Sequence, residues 1–176
     1  ITSFKEIPEY ANTWGAQNAN ALISLSQLSE TLCILLIPIA MKFGIKRVML
    51  LAMFAWVFRF GLFGAGNPGS GVWMFVLSCI VYGVAFDFFN ISGSLYVNLK
   101  TDEKIRSSAQ GLFMLMTNGI GATIGTLGAQ AIVNHFVYNS ANPSWSSAWY
   151  IFAGYALVVA VLFMFLFKDP GKEKTA

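Results

Sequence analysis

Five long apolar runs fill this chain, at about 18–41, 47–66, 72–98, 109–137 and 148–167. Each is long enough to cross a hydrocarbon core of about 30 Å as a helix. Lipid offers the backbone no hydrogen-bond partners, so a segment crossing it must satisfy its own polar groups, and a helix does so. Composition points the same way. Mean hydropathy is +0.63, and 11% of residues are charged, against roughly 25% in a soluble domain. The expected fold class is all-α integral membrane, with five transmembrane helices. Residues 1–17 are expected as an outer loop, 18–168 as a five-helix membrane domain and 169–176 as a cytoplasmic tail. No room remains for a soluble catalytic domain.

The basic residues orient the runs. Lys42, Lys46 and Arg47 separate the first two, Lys100, Lys104 and Arg106 separate the third and fourth, and Lys168, Lys172 and Lys174 follow the fifth. The opposite loops, GNPGS at 66–70 and VYNSANPSWS at 137–146, contain neither Lys nor Arg. On that side only Lys5 occurs, beside Glu6 and Glu9. Cytoplasmic loops collect Lys and Arg, so the expected topology has the N-terminus outside and the C-terminus inside. An odd number of spans requires such an arrangement.

Charges within the runs are the informative exceptions. A carboxylate at the centre of a membrane helix costs on the order of 2.5–3.5 kcal/mol even on the lenient insertion scale. Glu30, Arg59 and Asp87 are all so placed. From the basic ends of their runs (30 to 41, 47 to 59, 87 to 98) all three lie about 17–18 Å deep at 1.5 Å per residue. One layer near the midplane thus holds two acids and a base, as expected of a solute site or a buried ion-pair network. An ion pair between Asp87 and Arg59 on neighbouring antiparallel spans is one expectation. Tyr82, Phe86 and Asn90 share a helical stripe beside Asp87, and Gln17, Asn20, Ser24, Gln27 and Thr31, joined by Glu30, share a polar face on span one. Such faces turn toward protein or water.

The remaining signals are structural. Pro38 is expected to bend the basic end of span one. Thr101-Asp102-Glu103 is expected to cap span four. Gly121, Gly125 and Ala129 repeat every four residues, the spacing by which membrane helices pack closely, and Asn118 is placed to hydrogen-bond across that interface. Trp145, Trp149 and Tyr150 suit the membrane surface. Cys33 and Cys79 read as small buried hydrophobes. With His135 the only histidine, a histidine-based metal site is not expected, nor are a cofactor or a nucleic-acid partner. An integral-membrane enzyme would need a nucleophile or metal constellation, and the sequence offers none. No secretory signal peptide is visible, and the polar start at Ile1 is expected of a piece of a longer protein.

The run PIAMKFGIKRVMLL, 38–51, resembles the basic loop of major facilitator transporters, here with Gly44, Lys46 and Arg47. Together, SLSQLSETL, AWVFRFGLF, VYGVAFDFFNISGS, IRSSAQGLFMLMTNG and IFAGY resemble the bacterial nucleoside–proton symporters of that superfamily. The resemblance covers nearly the whole chain after about residue 20. It implies that the spans are helices eight to twelve of twelve, with helices one to seven absent, and that the protein sits in the bacterial inner membrane. It implies a nucleoside substrate moved with protons, and an inactive fragment. Gln27, Glu30, Tyr82, Phe86 and Asp87 match its substrate positions, and Asp87 and Glu30 are the candidates for proton coupling. The residues suit this role. A flat base can stack on Tyr82 or Phe86, and Gln27 and Glu30 supply donors and acceptors for ribose and base. A sugar or other small polar solute would also suit an aromatic beside an acid. A non-transporting structural subunit is the alternative of another class, and it leaves the midplane acids unexplained.

Overall fold

The structure, a computed structural model, describes residues 10–140 and 143–168. Lys5, Glu6, Pro8, Glu9, Lys172, Lys174 and the tail over 169–176 lie outside the described residues, as does most of the loop over 1–17. Among the described residues every regular element is helical. Five helices are long and apolar enough to cross a membrane: Ala19–Phe43, Ile45–Ala65, Val72–Lys100, Glu103–Tyr138 and Trp145–Leu166, here spans one to five. A short helix, Trp14–Gln17, precedes them.

The boundaries follow local chemistry. Span one passes through Pro38 without ending there; it tightens into a 3-10 turn over Met41–Phe43. Gly44 then takes φ 91°, a backbone region costly for any side chain, and span two starts at Ile45. The turn to span three is held by Asn67, whose Oδ1 accepts from the backbone N–H of Gly69 and of Gly71, both at 3.0 Å. Span four starts within Thr101-Asp102-Glu103 as expected, with Glu103 an acid in its first turn. The residue before its first turn is Asp102, and its side chain makes no capping bond. Span five is capped by Ser144, whose Oγ accepts from Ser147 N–H at 3.2 Å.

Span three is the hub, with spans one and two packed along it and span five packed along span two. Two apolar clusters bracket the middle of this group. Leu22, Phe75 and Cys79 form the one nearer the non-basic ends. Cys33, Ile37, Val48, Ala52 and Phe88 form the one nearer the basic ends. Lys46 Nζ donates to Met164 O at 2.8 Å, setting a cation at the C-terminal end of span five. Large side chains such as Leu35 and Phe165 are exposed around the outside, as expected where the solvent is lipid.

Span four stands apart. Near its basic end Gln110 bridges to span three, donating through Nε2 to Ser94 O at 2.7 Å and to Asn98 Oδ1 at 2.8 Å. Its middle is exposed, and it leaves the α-helical pitch for π-helical segments over Leu115–Gly121 and Asn134–Tyr138. A Cβ added at Gly125 or Gly128 meets nothing within 4 Å. The close helix packing expected at Gly121, Gly125 and Ala129 is therefore not made within these residues. A tight approach of span three to the backbone of span one occurs at Gly83, where a Cβ would fall 2.6 Å from Ser29 O and 2.8 Å from Cys33 Sγ.

Candidate functional site

The approach at Gly83 builds the site. Ser29 and Gly83 have no room for a side chain between them, and the Ser29 hydroxyl donates to the carbonyl of Ile80. Spans one and three are thus pinned where Glu30 follows Ser29 and Tyr82 precedes Gly83. Ser26, also buried, returns its hydroxyl to Leu22 O at 3.3 Å. Ser26 is thus satisfied within its own helix and Ser29 across to span three, and the larger polar groups lie in the layer between the two apolar clusters.

Glu30 is half-buried and lies within electrostatic reach of Asp87, Tyr82 and Arg59. Asp87 is 8% exposed, and its Oδ2 is buried with no hydrogen-bond partner among the described residues. One residue earlier, and so about 100° around the helix, Phe86 is 37% exposed. The acid points into the bundle while the neighbouring ring faces out of it. Tyr82 and Phe86 stack, with ring centroids 5.6 Å apart and planes inclined by 25°. Asn90, on the same stripe, turns back to its own helix and donates to Phe86 O at 2.9 Å. Gln27 lies one turn from Glu30 on the exposed face of span one, and its side chain makes no hydrogen bond among the described residues. The structure thus gathers Glu30, Tyr82, Phe86 and Asp87 and leaves Gln27 at the edge.

Arg59 corrects one expectation. It makes no ion pair with Asp87. Its Nη1 donates instead to Ser78 O at 2.8 Å, and its guanidinium lies over Tyr82, 4.3 Å from the ring centroid. Phe63 and Trp56 stand at 5.1 and 5.7 Å. A carbonyl and three aromatic faces take the place of the carboxylate. Ser29, Ser78 and Gly83 escaped the sequence reading. Trp56 and Phe63 escaped it too, although their spacing of i−3 and i+4 from Arg59 on the same helix is a signal that could have found them. Gly83 carries no repeat around it and gives no such signal.

The chain as a whole, with the half-buried Tyr82 and exposed Phe86 beside a buried acid, is similar to known proteins over nearly its full length. The family described as "Nucleoside H+ symporter" matches residues 6–172. The chain belongs to the nucleoside H+ symporter family. It is 48% identical to a xanthosine permease of Escherichia coli (strain K12), over 99% of this chain and 43% of the relative. It is 46% identical to the nucleoside permease NupG of the same organism, over 96% of this chain and 40% of the relative. A crystal structure of the nucleoside transporter NupG superposes with a TM-score of 0.86 at 45% identity, covering 94% of this chain and 41% of that one. The chain therefore spans about two fifths of the length of these relatives.

Proposed function

We propose that this chain is the C-terminal part, helices eight to twelve, of a proton-coupled nucleoside transporter of the bacterial inner membrane. It does not act as an enzyme. The observation that carries this reading is the stacked pair Tyr82–Phe86, with Phe86 exposed, beside the buried Asp87, whose Oδ2 has no hydrogen-bond partner among the described residues. A nucleoside offers both halves of what such a site recognises. Its base is a flat π surface that stacks on Phe86 and, through it, on Tyr82. Its ribose hydroxyls and exocyclic groups take hydrogen bonds from Gln27 and to Glu30.

Coupling follows from the position of Asp87. A buried carboxyl oxygen with no donor among the described residues is an expensive place for a charge, and a proton removes that charge. In a transporter whose central site opens to alternate sides, such a group accepts a proton on the proton-rich side and releases it on the other. Glu30 shares this layer and is the second candidate. The basic ends of the spans face the cytoplasm, with the N-terminus of this segment outside. Helices one to seven supply the other wall of the cavity, and the five-helix segment alone does not transport.

Radiolabelled uptake by the intact transporter tests the substrate. Unlabelled nucleosides should compete, and Phe86→Ala should raise KM about tenfold, the scale of a lost ring contact plus its buried area. Competition by sugars but not nucleosides would replace the substrate class.

A further inference from the structure

Arg59 has no part in the mechanism above, yet it is a cation kept at mid-depth in a membrane helix. Two hydrogen bonds tie its position to span three. Arg59 Nη1 donates to Ser78 O at 2.8 Å, and Ser78 Oγ donates back to Arg59 O at 3.3 Å. Ser78 is one helical turn before Tyr82, on the same face. A guanidinium anchored at that carbonyl therefore lies over the phenol ring, 4.3 Å from its centroid. Trp56 packs against Tyr82 in a T-shaped pair, at 5.9 Å and 83° between planes. Phe86 stacks on the ring at 5.6 Å. Tilting the Tyr82 ring would lose the cation contact and the stacking contact together.

We propose that Arg59 is a positioning residue for substrate recognition, fixing the Tyr82 ring so that Phe86 presents a level platform to the base. This rests on the stacking reading of the site. The role suits arginine over lysine. A planar guanidinium donates in its plane to Ser78 O while turning its face to a ring, whereas an ammonium is a single compact charge that serves one partner at a time.

The test is a double-mutant cycle in the intact transporter, reading nucleoside KM and Vmax per molecule of protein in the membrane. Arg59→Gln should raise KM about tenfold, the size of a desolvated cation–π contact, with Vmax nearly unchanged. In a Tyr82→Leu background, itself raised in KM, the same substitution should add nothing, because the ring it positions is gone. If Arg59→Gln does not accumulate, Arg59→Lys carries the same cycle, with a rise of about threefold. An equal KM rise in both backgrounds, or a loss confined to Vmax and protein amount, would overturn the proposal and make Arg59 a helix staple only. If Tyr82→Leu alone leaves KM unchanged, the stacking reading fails first and takes this proposal with it.

Discussion

Replacing Gly83 by alanine should damage this protein out of proportion to one methyl group. The new Cβ would lie 2.6 Å from Ser29 O, 2.7 Å from Ser29 C and 2.8 Å from Cys33 Sγ. Two of these atoms are backbone inside span one, so no rotamer change makes room. Ordinary contact begins near 3.4 Å, so the helices must part by about 0.8 Å, or the methyl stays overpacked at about 1–3 kcal/mol. Alanine returns up to about 1 kcal/mol in helix propensity, leaving a net loss of about 0–2 kcal/mol. Parting the helices also breaks the bond from Ser29 to Ile80 O and draws Glu30 away from Tyr82. Gly61→Ala is the internal control, because its Cβ meets nothing within 4 Å. Thermal unfolding of the purified intact transporter should therefore place Gly83→Ala below the parent and Gly61→Ala at or above it. Nucleoside uptake should fall only in Gly83→Ala. Equal melting and equal uptake for the two variants would refute the claim that this contact assembles the site.

Two further outcomes follow from the same structure. Single cysteines at Ser70 and Ser140 should be labelled by an impermeant reagent from outside intact cells, and a cysteine at Lys100 only after permeabilisation; the reverse pattern would invert the topology. Ser144→Ala removes the oxygen that accepts from Ser147 N–H at 3.2 Å, so stability should drop by about 1 kcal/mol in the same thermal assay, and an unchanged melting temperature would show that the cap contributes nothing.

The spans were legible because lipid leaves a 20-residue apolar run little choice but helix, and the structure moves their ends by only a few residues, apart from the earlier start of span four. The depth of Glu30, Arg59 and Asp87 was legible for a related reason, since rise per residue is fixed. What each charge touches was not. Depth and sign together suggested an ion pair for Arg59, whereas facing direction gave it Ser78 and Tyr82. Gly83 was invisible because its role depends on which face of span one arrives opposite it. The glycines of span four were the more conspicuous pattern and meet no neighbour here. No other span comes within 4 Å of a Cβ at Gly121, Gly125 or Gly128, so the periodic signal had no contact to report.

The most direct test of the account is Asp87→Asn in the intact transporter, reconstituted into vesicles with an imposed pH difference. The amide keeps the shape of the side chain and cannot carry the proton. With Asp87 as the coupling group, the variant should no longer concentrate nucleoside in response to the pH difference. It should still exchange labelled for unlabelled nucleoside, because exchange needs no net proton movement. A variant that continues to accumulate nucleoside against its gradient, driven by the imposed pH difference alone, would contradict the account and pass the coupling role to Glu30.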